Sequence, residues 1–172
     1  MEGNKRRDQL INILKTTADP ISGGELSKLL GVSRQVIVQD IALLRASDFN
    51  VLSTTKGYLI YPADKQSIRR IFHVRHTTEQ IEDELCTIVD QGGKILDVKV
   101  KHEIYGEIET ALIIRNRQDI YDFVSKVKEN KIVPLKELTD GIHQHTIEAD
   151  TEETLNQIEK ALSNKGYLLK SE

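Results

Sequence analysis

Cysteine is nearly absent from this chain. Cys86 is the one cysteine in 172 residues, so no internal disulfide forms and a reducing cytoplasm is the expected setting. Long apolar runs are missing as well. No stretch approaches the roughly 18 residues that a membrane helix needs, so no membrane partner is expected. The opening residues Met1 to Arg7 are polar and have no apolar h-region, so no secretory leader is expected. There is no internal repeat and no low-complexity tract. An overall basic excess is also lacking: the net charge is −3, which argues against non-specific nucleic-acid binding by the whole chain. What remains is 38% apolar and 30% charged. That is an ordinary globular composition, in a chain sized for one mid-sized domain or two small ones.

The charge is unevenly divided. Residues 1–62 carry eight Lys/Arg against six Asp/Glu, and residues 63–172 carry sixteen against twenty-one. The sign suits a DNA-binding N-terminal half, since a specific reader needs only a local cationic face. Residues 5–16 read as a helix with Leu10, Ile11 and Leu14 as its stripe, broken at Asp19-Pro20. Ser22 to Glu25 opens a second helix that Gly31 stops. Ser33 is a good N-cap for a third, in which Val36, Ile37, Ile41 and Leu44 recur at helical spacing. Two short apolar runs, Asn50–Ser53 and Tyr58–Tyr61, then flank Thr54 to Gly57 as a hairpin. This order is that of a winged helix-turn-helix over residues 1–62. Its third helix is expected in the major groove of double-stranded DNA. Arg34 would pair with guanine edges, Gln35 and Gln39 with adenine edges, Ser33 with phosphate, and Lys56 at the hairpin tip with the backbone. The competing reading is a three-helix domain used for dimerisation or protein docking.

Pro62 to Gln66 is polar and opens on proline, which places the boundary there and a second domain over residues 67–172. Its pattern alternates strands (Arg69–Arg75, Lys94–Lys101, Ile108–Ile114, Ile142–Ala149, Gly166–Leu169) with helices (from Thr77 or Thr78 to Gln91, Arg117–Glu129, Thr151–Asn164). Thr77 with Gln80 matches a capping box. The fold class is therefore α+β, an antiparallel sheet covered by helices.

Five histidines occur: His73, His76, His102, His143 and His145. His143 and His145 lie two positions apart in one predicted strand, so both point to one face, with Cβ atoms about 7 Å apart. Both rings can then converge on one ion at ~2.1 Å. His76 ends a strand on its apolar face. Glu84 sits on the Ile81/Leu85/Ile88 side of the following helix, where an acid wants a partner. Spacing thus allows a metal site of His76, Glu84, His143 and His145, and equally allows satisfied core groups. Three imidazoles and one carboxylate suit Zn, Ni, Fe or Co better than Ca or Mg. Cys86 falls toward the other side of that helix and reads as inert. His73 points away from His76. His102 either lines a pocket or caps its strand.

These motifs carry a resemblance. A winged helix followed by His76 to Leu85, His102-Glu103-Ile104-Tyr105-Gly106, Pro134-Leu135 and Gly141-Ile142-His143-Gln144-His145-Thr146-Ile147 resembles the bacterial NiaR-type repressors, whose C-terminal part is the 3H domain. The likeness runs from about residue 5 to 170. One departure is Glu103, where the family pattern usually has proline.

The resemblance implies a DNA-binding repressor of NAD-biosynthesis or niacin-transport genes, not an enzyme, with nicotinic acid as co-repressor. It also implies a homodimer with one divalent transition metal per chain, nickel, zinc or iron, on His76, Glu84, His143 and His145. Arg75 is a candidate cation for the nicotinate carboxylate, and His102 and Tyr105 are candidate pocket walls. Two other functions remain in view. One is a regulator for which the ion itself is the signal. The other is a small metal-dependent hydrolase fused to a winged helix.

Overall fold

The computed structural model describes residues 3–61 and 67–169, and the chain divides into two compact units, 1–63 and 64–172. The boundary expected over Pro62 to Gln66 lies outside the described residues. No helix among the described residues is long and apolar enough to cross a membrane.

The first unit consists of α1 (Gly3–Thr16), α2 (Gly23–Leu30) and α3 (Arg34–Ala46), followed by the hairpin strands β1 (Val51–Ser53) and β2 (Tyr58–Ile60). Local chemistry sets each boundary. Ser22 and Glu25 form a reciprocal capping box at the start of α2. Gly31 ends that helix in the left-handed conformation at φ 64°, which glycine adopts without steric cost. Ser33 caps α3 through the backbone N–H of Val36. Leu10, Leu14, Leu26, Ile37, Ile41 and Leu44 form the core, and Val32 packs against it from the turn. One polar residue joins this buried face. Asp40 of α3 is paired with Arg6 at 2.6 Å and Arg7 at 3.4 Å, which ties α1 to α3.

The hairpin is anchored to the helices by Ile21, which exchanges backbone hydrogen bonds with Tyr58 at 2.9 and 2.8 Å. That approach demands Gly57. Its φ is 148°, and an added Cβ would stand 2.2 Å from the Ile21 carbonyl oxygen.

The second unit contains β3 (Ile68–Arg75), α4 (Ile81–Asp90), β4 (Lys94–His102), β5 (Gly106–Ile114), α5 (Arg117–Lys128), a 3-10 turn (Leu135–Thr139), β6 (Ile142–Ala149) and α6 (Glu152–Asn164). The strands form one antiparallel sheet in the order β3-β6-β4-β5. Alternate residues, among them Phe72, Val74, Ile95 and Ile147, pack with Leu85, Ile88, Ile120, Leu155 and Ile158 of the helices. The opposite side of β3 carries the exposed Ile71, His73 and Arg75. In the β3–β6 register Phe72 faces His145 and Val74 faces His143, so the two histidines continue an apolar row.

Two details depart from the sequence reading. The helix expected from Thr77 or Thr78 starts at Ile81, with Gln80 as N-cap and no side-chain cap. Thr77 N–H does donate to the Gln80 side chain at 2.9 Å, but the Thr78 hydroxyl is drawn off to Glu137. Residues 77–80 therefore form turns before helical bonding begins. The last expected strand narrows to a single bridge, Val74 with Leu168.

Gly57→Ala is expected to cost the first unit about 2–3 kcal/mol through the Ile21 clash. Gly31→Ala, where an added Cβ meets nothing within 4 Å, is expected to cost only about 1–2 kcal/mol from its backbone angle. Thermal unfolding of the two variants checks the ranking; equal losses would refute the close approach.

Candidate metal centre and nucleic-acid interface

His76 follows directly on β3, Glu84 lies one turn into α4, and His143 and His145 lie on β6. All four are buried, with relative exposures between 1% and 6%. His76 Nε2 stands 3.2 Å from Glu84 Oε2, His145 Nε2 3.6 Å from Glu84 Oε1, and His143 Nε2 3.1 Å from His145 Nε2. Ligand atoms of His76, Glu84 and His143 all lie within 4.8 Å of one another. Donors sharing one ion at ~2.1 Å stand roughly 3–4 Å apart, so the spacing fits a single cation.

The backbone decides which ring nitrogen faces inward. His76 Nδ1 lies 2.8 Å from the Thr77 carbonyl, His143 Nδ1 2.9 Å from that of Gly141, and His145 Nδ1 2.6 Å from that of Asp97. A carbonyl oxygen can only accept, so each Nδ1 carries a proton and each Nε2 is the atom turned into the cluster around Glu84. This is the arrangement that orients histidine ligands. Each carbonyl is held in place by its own local structure. Gly141, at φ 83°, brings the chain so close that an added Cβ would lie 2.6 Å from the His76 carbonyl oxygen. The β4–β6 ladder is irregular between Ile95 and Lys99. There the Asp97 carbonyl takes the His145 ring, while its carboxylate accepts the Thr146 N–H at 2.9 Å.

The donor set itself calls for a cation. Among the described residues, His76 Nε2 and Glu84 Oε1 are buried without a hydrogen-bond partner. Burial, with His145 beside it, lowers the His143 pKa to about 3, so that ring stays neutral. Burial opposes charge on His145 too, but Glu84 outweighs it and raises its pKa. Burial likewise opposes the Glu84 carboxylate, yet His145 and His76 hold its pKa well below the usual range. Two Nε2 atoms at 3.1 Å repel unless a proton or a cation stands between them. A dication would satisfy all four groups at once.

A cavity of about 30 Å3 adjoins these side chains, walled by Leu85, Val98, Leu112, Phe123 and Leu135. Lys136 also lines it. This lysine is only 4% exposed, and its ammonium binds Thr78 Oγ1 at 3.0 Å and Glu137 Oε1 at 2.7 Å. The sequence reading missed Lys136, because nothing in Pro134-Leu135-Lys136 signals that the lysine is buried. Arg75 is exposed and lines an open groove of about 570 Å3 that Lys136 and His76 share. His102 and Tyr105 stack at 4.8 Å on the β4–β5 turn, apart from the cavity. His102 Nδ1 accepts from the backbone N–H groups of Ile104 and Tyr105. That tautomer is the reverse of the three clustered histidines, and it makes His102 a turn cap.

On the first unit, Arg34, Gln35 and Gln39 are exposed on α3, opposite the buried Ile37, Asp40, Ile41 and Leu44. Ser33 is exposed at the N-cap, and Lys56 is half-buried in the hairpin tip. Val38 shares the exposed surface of α3. Its exposure agrees with the helical spacing of Val36, Ile37, Ile41 and Leu44, which leaves Val38 off the apolar stripe.

Residues 69–171 match the sequence profile of the 3H domain, and residues 6–59 that of an HTH domain. The chain is 40% identical over 165 residues to the probable transcription repressor NiaR of Thermotoga maritima, spanning 96% of this chain and 94% of that protein. It is also 40% identical over 171 residues to the transcription repressor NadR of Bacillus subtilis, spanning 98% and 95%.

His143→Ala is expected to abolish stoichiometric binding of Ni or Zn while leaving the first unit folded. Metal at a hundredfold excess over its Kd should stabilise the wild-type second unit by about 2.7 kcal/mol. Calorimetry with and without metal reads both effects. Full metal retention in His143→Ala would refute the ligand assignment.

Proposed function

The chain belongs to the 3H-domain family, and on that premise we propose that it is a transcription repressor of NAD-biosynthesis or niacin-transport genes, with nicotinic acid as co-repressor. It acts in the cytoplasm as a homodimer on double-stranded DNA, without catalysing a reaction. Each chain holds one divalent transition metal, nickel, zinc or iron, on His76, Glu84, His143 and His145. The observation that carries the reading is the near full-length identity with two repressors, joined to a buried cluster of three imidazoles and one carboxylate.

In this reading Arg34, Gln35 and Gln39 meet base edges, while Ser33 and Lys56 meet phosphate. Nicotinate lies against the metal-lined cavity, and its carboxylate displaces Glu137 from the Lys136 ammonium. Arg75 in the adjoining groove supplies a second, more exposed cation. His102, with Tyr105 stacked on it, lines a separate groove that His143 also reaches. Ligand binding favours the dimer arrangement in which two recognition helices meet half-sites about 34 Å apart. It does so only by its higher affinity for that arrangement.

The completeness of the donor set also favours a second reading, in which the ion alone is the signal. The hydrolase reading has less to stand on. Apart from the four clustered groups, Lys136 is the one titratable residue lining the cavity, so a separate general base is lacking there.

The test uses the full-length protein and a duplex that it selects from a random pool, with anisotropy read at one salt concentration. Nicotinate should tighten binding roughly 5–150-fold, the range of ordinary allosteric coupling. Chelation should remove the effect. A response to metal without any response to nicotinate would replace this reading by the second. Arg34→Ala should weaken duplex binding by about 1–3 kcal/mol with nicotinate affinity unchanged, and unchanged duplex affinity would refute its role. Lys136→Met should erase the preference for nicotinate over nicotinamide while metal binding persists. A retained preference would exclude Lys136 as the carboxylate partner.

A further inference from the structure

The exposed surface of α3 mixes two chemistries. Arg34, Gln35 and Gln39 are polar, but Val38 among them is aliphatic and 48% exposed. It is left outside the apolar core of its unit. A β-branched side chain in a helix loses rotamer freedom against the preceding turn. At 48% exposure this valine, like Leu43 at 51%, keeps apolar surface open to a partner.

Its neighbours along the helix say where that surface lies. Arg34 is one turn before Val38 and Arg45 two turns after it, so the three share one row of α3. Both arginines reach toward the hairpin. Arg34 lies over Gly23 beside Tyr58: a Cβ added at Gly23 would stand 3.5 Å from both Arg34 Nε and the Tyr58 ring. Arg45 donates to the Val51 carbonyl and to Ser53 Oγ, each at 2.7 Å. Val38 therefore stands on the hairpin side of α3, in the row between Arg34 and Arg45 and beside the exposed Gln35 and Gln39. The aliphatic group that the major groove displays is the 5-methyl of thymine. We infer that Val38 reads a thymine by packing on its 5-methyl group, beside the hydrogen-bonded contacts of Arg34 and Gln35. The inference rests on the DNA-binding reading above, and it adds a shape-based contact that polar side chains cannot make.

The experiment replaces each thymine of the selected duplex, one at a time, by deoxyuridine. This removes the methyl and leaves every hydrogen-bonding group in place. At one position per half-site the wild-type chain should lose roughly fourfold in affinity, the weight of one buried methyl-sized group. Val38→Ala should bind the unmodified duplex about as weakly, and should lose nothing further on deoxyuridine at that position. Alanine is the stronger helix former, so the variant folds. Val38→Ala binding at wild-type affinity, or losses that multiply at every position, would overturn the inference while the repressor reading stands. A full-length chain that selects no duplex, with nicotinate and metal present, would overturn both.

Discussion

Three hydrogen bonds from imidazole Nδ1 to backbone carbonyls carry the organisation of the second unit. The carbonyls of Thr77, Gly141 and Asp97 each hold a ring, and together they turn three Nε2 atoms into one cluster with the Glu84 carboxylate. Without them each ring would be free to turn and exchange the nitrogen that faces the cluster. With them, four polar side chains are packed at a core position where unpaired polar groups are costly. The sheet, the entry into α4 and the turn before β6 all serve this convergence.

The same constraint explains several local irregularities. Gly141 lies against the His76 backbone because the end of β3 and the start of β6 each supply one of these carbonyls. The ladder between β4 and β6 breaks beside Asp97, where the carbonyl turns to His145 and the carboxylate stands in for a ladder acceptor. Such interruptions re-aim side chains at sites. Lys136 is buried at the edge of the same cavity and satisfied by Thr78 and Glu137. The buried Lys136 ammonium thus borders the cavity beside the Glu84 carboxylate and its three imidazoles. The first unit is simpler: capped helices and a glycine-anchored hairpin present a polar helix surface, with Asp40 tying that helix to α1.

Much of this was legible in the chain itself. Ser22, Gly31, Ser33 and Gly92-Gly93 punctuate their helices locally. Strand alternation put His143 and His145 on one face, and helical spacing put Glu84 on the apolar side of α4. Spacing allowed His76 to join them, and the resemblance to NiaR-type repressors implied the same set. The start of α4 was misread because the Thr78 hydroxyl is claimed by Glu137, a residue 59 positions later in the chain. Arg75 was named as a candidate cation and Lys136 was not singled out, because burial cannot be read from a lone basic residue. Helical spacing put Ile37, Ile41 and Leu44 inward and left Val38 outside the stripe, as the structure has it.

The sequence by itself determined what short-range physics determines: most of the elements, the caps of α2 and α3, and the shared face of His143 and His145. Only the tertiary structure decided which carbonyl meets each imidazole, that Lys136 is buried, and how closely Gly57 and Gly141 pack on distant backbone. The reason is the strand order β3-β6-β4-β5, which places residues far apart in the chain side by side. Periodicity fixes a side chain's direction relative to its own element, whereas its partners come from whichever element the sheet brings opposite.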